Sequence, residues 1–102
     1  MSSILQEPGK QVLLMGNEAI ARGAVEAGIQ LMAAYPGTPS SEIGEVLLDA
    51  SADSDFYVEW STNEKIAFEV AAGASFVGAR TMVAMKNAGL NVAMDTFMTI
   101  PY

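Results

Sequence analysis

Apolar and polar positions alternate along this chain in two registers. Short apolar runs fall at Gln11–Met15, Ile29–Ala34, Phe56–Trp60 and Thr81–Met85, lengths that suit β-strands. Longer stretches with helical spacing lie between them. Asn17 is a good N-cap for a helix over Glu18–Ala27, with Ala19, Ile20, Gly23, Ala24 and Ala27 facing inward and Gly28 closing it. Pro36-Gly37-Thr38-Pro39 reads as a tight loop. Thr38 is placed to cap the next helix, with Pro39 in its first turn, where a missing N–H costs nothing. That helix, Ser40–Ala50, carries Ile43, Val46 and Leu47 as its apolar stripe. After the polar loop Ser51–Asp55 and the third strand comes a helix over Ser61–Val77, rich in small residues and ended by Gly78. A last helix begins near Leu90, after the loop Lys86–Gly89.

Strands alternating with helices over short connections predict an α/β fold, an open and mostly parallel sheet with helices on both faces. Such sheets bind ligands outside the carboxyl ends of their strands. The loops of interest are then Gly16-Asn17, Tyr35–Thr38, Trp60–Asn63 and Lys86–Gly89. The pattern places a lead-in over residues 1–10 and one domain over residues 11–102, without internal repeats. The segment Leu90–Tyr102 is apolar and has no polar closing stretch, so the domain is expected to be incomplete at its C-terminus and the chain a fragment of a longer one.

Composition narrows the chemistry. Twelve acidic residues against five basic ones give a net charge of −7. Five scattered cations make no basic stripe, which argues against nucleic acid and against an anionic membrane surface. No apolar run is long enough to span a bilayer and the N-terminus lacks a signal-peptide pattern, so a cytoplasmic location is expected. With no Cys and no His, thiolate nucleophiles, disulfides, Cys-ligated clusters, His-based acid–base catalysis and the usual zinc sites are excluded within this chain. Carboxylates, hydroxyls, Lys, Arg, backbone amides or a bound cofactor remain.

Three places carry candidate chemistry, each with a plainer alternative. The loop Pro36–Ser41 offers hydroxyls and amides at a helix start, suited to an oxyanion; Thr38 is equally a simple N-cap. Ser61-Thr62-Asn63-Glu64 has capping-box spacing, so Glu64 reaches back to the Ser61 amide or stands as a carboxylate at the mouth of the sheet. Lys86 at a strand end meets an anionic ligand or is solvated. Met82, Met85, Met94 and Met98 are read as core filler.

The ordered set Gly16–Gly23, Ala34–Ile43 (Ala-Tyr-Pro-Gly-Thr-Pro-Ser-Ser-Glu-Ile), Glu59–Lys65, Gly73–Ser75 with Gly78–Arg80, and Met85–Asn91 (Met-Lys-Asn-Ala-Gly-Leu-Asn) resembles one family. It is the thiamine-diphosphate-dependent 2-oxoacid:ferredoxin oxidoreductases, nearest to the large subunit of their indolepyruvate branch. The likeness runs from about Val12 to Tyr102. It implies the N-terminal part of a thiamine-diphosphate pyrimidine-binding domain. It also implies that Glu64 is the cofactor glutamate, catalytic through its hydrogen bond to the pyrimidine ring. It further implies that Thr38 contacts the 2-oxo acid and that Lys86 and Asn87 lie beside the same substrate. Tyr35, Pro36, Gly37, Pro39, Gly89, Leu90 and Asn91 shape the site loops. Asn87 stands where that branch usually carries His.

The implied reaction is oxidative decarboxylation of indolepyruvate or another aryl 2-oxo acid to an acyl-CoA, with reduction of ferredoxin. Thiamine diphosphate would be shared with regions outside this chain. Magnesium and [4Fe-4S] clusters belong to the rest of the protein. A beta subunit or a second copy is the expected partner, and this segment alone should be inactive. A different class remains open: a non-catalytic α/β binding or regulatory module built on the same fold. A nucleotide-binding domain is the weaker third reading, because no Gly-x-Gly-x-x-Gly follows the first strand.

Overall fold

The computed structural model describes residues 4–101. Among them, four helices and three strands alternate in the order α1 (Gly16–Glu26), β1 (Leu31–Ala34), α2 (Ser41–Ser51), β2 (Tyr57–Trp60), α3 (Glu64–Phe76), β3 (Thr81–Ala84) and α4 (Gly89–Thr99). The sheet is parallel throughout, with strand order β2-β1-β3. Leu31 to Ala34 pair with Tyr57 to Trp60 on one side and with Thr81 to Ala84 on the other, residue for residue. The α/β fold with an open parallel sheet stands as the alternation predicts.

The crossover from β1 to β2 through α2 and the crossover from β2 past β1 to β3 through α3 run in opposite directions across the sheet. The right-handed rule for parallel connections then puts α2 and α3 on opposite faces of the sheet. Central β1 is accordingly buried on both sides, at Met32, Ala33 and Ala34. Met32 and Ala34 join the main apolar cluster with Ile43, Leu47, Ala50, Phe56 and Val58. Ala33 points to the other face, which α3 covers with the buried small residues Ala67 and Ala71. Small side chains there let the helix lie close to the strand. Helix α1 packs on α2, and α4 packs on α3. The second pair is tied by the edge-to-face Phe68–Phe97 contact at 5.8 Å and the Lys65–Asp95 ion pair at 3.3 Å.

Gly28 and Gly78 close α1 and α3 as their positions in the sequence suggest. Both have positive φ (82° and 99°). In each case the glycine N–H and the following N–H bond back to helix carbonyls: Gly28 to Val25 and Ile29 to Ala24, then Gly78 to Ser75 and Ala79 to Ala74.

The run Gln11–Met15 is not a strand. It is extended chain outside the sheet, with Val12, Leu13 and Met15 exposed. An apolar run becomes a strand only where it pairs with an edge; among the described residues this run pairs with none, and the outer edges of β2 and β3 stay unpaired. The chain start is held instead by Arg22, whose Nη1 donates to the carbonyls of Ile4 and Gln6, both at 2.7 Å. Ile4 is thereby buried in the core. Helix α1 is turned to match. Its buried residue is Ala21, with Ala24 and Val25 against the core, while Ala19, Ile20, Gly23 and Ala27 face outward. On α4, Leu90, Val92, Met94, Phe97 and Met98 are exposed and only Gly89 and Ala93 are buried.

Candidate functional site

The strand register brings three loops to one end of the sheet. Ala34, Trp60 and Ala84 are level with each other. The chain leaves them at Tyr35, Ser61 and Met85. Two further backbone bonds bind these exits together: Tyr35 N donates to Ala84 O at 3.3 Å and Ser61 N to Ala34 O at 2.8 Å. The sequence places its candidates in these same loops.

Glu64 is the first residue of α3. It is half-buried, and its side chain makes no hydrogen bond or ion pair among the described residues. The helix is capped by Asn63, whose Oδ1 accepts from Ile66 N at 3.0 Å. A box between Ser61 and Glu64 therefore does not form. Helix α3 starts three residues later than the small-residue pattern suggests, because Asn caps as well as Ser and stands nearer the first apolar turn. The Glu64 carboxyl group instead lies against Gly89, the first residue of α4. A Cβ at position 89 would fall 2.6 Å from Glu64 Cγ and 2.8 Å from its Oε2. A side chain at position 89 would push the acid out of this seat.

The Tyr35–Ser40 loop is held from within and from below. Gly37 N donates to Ser41 Oγ at 2.7 Å, Ser40 Oγ donates to Gly37 O at 2.9 Å, and Ser41 N reaches Gly37 O at 3.0 Å. A Cβ at Gly37 would lie 2.7 Å from Lys86 Cβ, so this loop rests on the loop after β3. The cap of α2 is Ser40 rather than Thr38, and the Thr38–Pro39 peptide is cis. The Thr38 hydroxyl, read as a possible cap, stays exposed and makes no hydrogen bond among the described residues. Pro36 and Pro39 are exposed; Tyr35 is half-buried. Lys86 and Asn87 are exposed, and neither side chain has an ion pair or hydrogen bond among the described residues. Their carbonyls accept from Gly89 N and Leu90 N at the start of α4. Leu90 and Asn91 are exposed.

Thus Gly37 meets Lys86 and Glu64 meets Gly89, whereas no hydrogen bond joins Thr38 to Glu64 or to Lys86. Three features of this end escape the sequence pattern. Asn17, read as a cap, is the second residue of α1; Met15 takes the cap position, its N–H donating to Glu18 Oε1 at 2.9 Å. Glu18, three residues after Met15, was the signal for that start. The ring of Trp60 lies over Gly44 of α2, where a Cβ would fall 2.6 Å from Cη2. Ser61 Oγ is buried without a hydrogen-bond partner among the described residues. A buried hydroxyl left so is costly unless a ligand or water completes it.

The arrangement offers an acid at a helix start seated against Gly89, a buried hydroxyl without a partner among the described residues three positions before it, and the exposed Lys86 three positions before Gly89. No three His, Cys, Asp or Glu residues among those described converge as metal ligands. No helix of the described residues is long and apolar enough to cross a membrane.

Comparison with known proteins points the same way. Residues 22–101 match the family model described as "Pyruvate flavodoxin/ferredoxin oxidoreductase, thiamine diP-bdg". The indolepyruvate oxidoreductase subunit IorA of Pyrococcus abyssi is 57% identical over 96 residues, covering 94% of this chain and 15% of its own length. The corresponding Archaeoglobus fulgidus subunit is 58% identical over 98 residues, covering 92% of this chain and 16% of its own. The 2-oxoglutarate synthase subunit KorA of Archaeoglobus fulgidus is 34% identical over 83 residues, covering 81% and 24%. A solved 2-oxoglutarate:ferredoxin oxidoreductase from Magnetococcus marinus, with 2-oxoglutarate, coenzyme A and succinyl-CoA bound, superposes with a TM-score of 0.76. It is 27% identical, over 85% of this chain and 15% of that one. The chain therefore spans roughly a sixth of the length of its indolepyruvate relatives.

Proposed function

We propose a function from the premise that this chain belongs to the pyruvate flavodoxin/ferredoxin oxidoreductase family, in its thiamine-diphosphate-binding region. It is the pyrimidine side of a cofactor site, part of the N-terminal domain of a larger 2-oxoacid:ferredoxin oxidoreductase. The whole enzyme converts a 2-oxo acid and coenzyme A to an acyl-CoA and carbon dioxide. Two electrons pass singly to two oxidised ferredoxins and one proton is released. Identity near 57% to the indolepyruvate subunits against 34% to a 2-oxoglutarate subunit favours indolepyruvate or another aryl 2-oxo acid. A beta subunit or second copy supplies the rest of the site, and the location is cytoplasmic.

The observation that carries this reading is the Glu64 carboxyl group. It is relieved of capping by Asn63 and cradled by Gly89. A half-buried carboxyl so held is suited to hydrogen-bond a pyrimidine ring nitrogen and to hold or pass a proton at its Oε. The unsatisfied Ser61 hydroxyl on the same loop supports a polar ligand there. Thiamine diphosphate, when bound, supplies the electron sink for decarboxylation. This chain's residues do the positioning. Glu64 binds and orients the pyrimidine. Thr38, Lys86 and Asn87 face the oxo acid, with the Lys86 ammonium countering its carboxylate. Tyr35, Pro36, Gly37, Pro39 and Leu90 form the walls. Magnesium, diphosphate and cluster ligands lie elsewhere in the protein, since the described residues offer no such set and the chain has no Cys.

The test is Glu64→Gln in the complete enzyme. Turnover should fall about 100-fold or more while the fold survives. Near-normal turnover would sink the catalytic reading and leave a binding module in its place.

A further inference from the structure

We infer that Asn17 is a positioning residue for the substrate loop, acting on Thr38 through Pro39. The inference rests on the reading that Thr38 contacts the 2-oxo acid. Asn17 lies at the start of α1, 22 residues before the loop it holds. Its Nδ2 donates to the carbonyl of Pro39 at 2.8 Å and to Glu42 Oε1 at 3.1 Å. One amide group thus spans two elements, the loop and the first turn of α2. The residue type follows from that geometry. A side-chain amide nitrogen carries two N–H groups and serves two oxygens at once. Asp has no N–H to offer and would set a second carboxylate against Glu42. Ala reaches neither oxygen.

The remaining restraints on this loop explain why the clamp matters. The bonds among Gly37, Ser40 and Ser41 tie the two ends of the turn to each other. The Gly37–Lys86 contact seats its near end. Thr38 itself is exposed and carries no hydrogen bond of its own side chain among the described residues. Its far neighbour, Pro39, has no N–H, so its carbonyl is the one backbone handle left there. Asn17 holds that handle from outside the turn. The bond to a charged Glu42 oxygen is of the stronger, charge-assisted kind and keeps the amide oriented. Losing the clamp should let Thr38 drift without altering the acid at Glu64 on a separate loop.

Steady-state kinetics of the complete enzyme with its 2-oxo acid test this. Asn17→Ala should raise KM for the oxo acid about five- to tenfold, with kcat within about twofold and KM for coenzyme A unmoved. Asn17→Asp should raise it further. The reciprocal pair Asn17→Asp with Glu42→Gln restores a bond between positions 17 and 42 but leaves the Pro39 carbonyl without a donor, so KM should stay raised. Glu42→Ala alters an exposed side chain and should raise KM by a smaller factor, which keeps the question answerable if an Asn17 variant fails to fold. Thr38→Val reports on the underlying reading. If Thr38→Val raises KM and Asn17→Ala does not, the clamp is overturned and the reading stands. If neither moves KM, the reading itself is overturned. An equal fall in kcat for every substrate, or a return of KM to the parent value in the reciprocal pair, overturns the clamp as well.

Discussion

Glu64 at the start of α3 and Gly89 at the start of α4 touch so closely that no side chain fits between them. A Cβ on residue 89 would sit 3.0 Å or less from three atoms of the acid. The position of the carboxyl group is thus set by a backbone on another helix.

Gly89→Ala should therefore displace the Glu64 carboxyl group. In the complete enzyme this should cost about 100-fold in kcat, the scale of a misplacement near 1 Å. Thiamine diphosphate titration and turnover, measured together, check it. Turnover within twofold of the parent would show that Glu64 does not depend on the cradle.

Gly73→Ala is the matched control, with the opposite sign expected for stability. Gly73 lies inside α3, exposed, and nothing stands within 4 Å of where its Cβ would be. Alanine should stabilise the helix by about 1 kcal/mol through its better propensity. Amide hydrogen exchange in the middle of α3 should slow, with turnover unchanged. Faster exchange would contradict the open setting of this glycine.

Gly44→Ala should destabilise. The new methyl group would meet the Trp60 ring, and overpacking of this kind costs roughly 1–3 kcal/mol. Thermal inactivation of the complete protein should begin at a lower temperature. Adding Trp60→Phe should return part of the loss by shrinking the ring. If the double variant is no better than the single one, the ring is not the obstacle.

Asn63→Ala removes the cap on Ile66 N. The expected loss is about 1 kcal/mol, seen as faster exchange of the first amides of α3. Asn63→Asp or Asn63→Ser should keep most of the protection, since each supplies a side-chain acceptor. Equal losses in all three variants would argue against the cap.

Much of the fold was legible in the order of residues. The apolar runs Ile29–Ala34, Phe56–Trp60 and Thr81–Met85 contain the strands Leu31–Ala34, Tyr57–Trp60 and Thr81–Ala84, as their length and composition suggest. Gly28 and Gly78 stop their helices because only glycine readily adopts a positive φ there. These are local properties, decided by a residue and its near neighbours. The loop motifs around Thr38, Glu64 and Lys86 also lie at strand ends in the order read. The exposed Gln11–Met15 run shows the limit. Its composition matches a strand, but a strand also needs a paired neighbour, and among the described residues this run pairs with neither open edge, β2 or β3. Likewise, cap spacing permitted Glu64 to bond back to Ser61. The competing Asn63 cap and the Gly89 backbone on α4 turned it elsewhere. Asn17 read as a cap for the same reason, since its true partners lie 22 and 25 residues away. The sequence by itself determined the alternation of elements, their stops and the inventory of reactive groups, because these depend on short-range sterics and on burial patterns. Which strand edges were filled, which face of α1 turned inward and what Glu64 and Asn17 touch were decided only in the tertiary structure. Those outcomes are competitions between distant segments for the same space and the same hydrogen-bond partners.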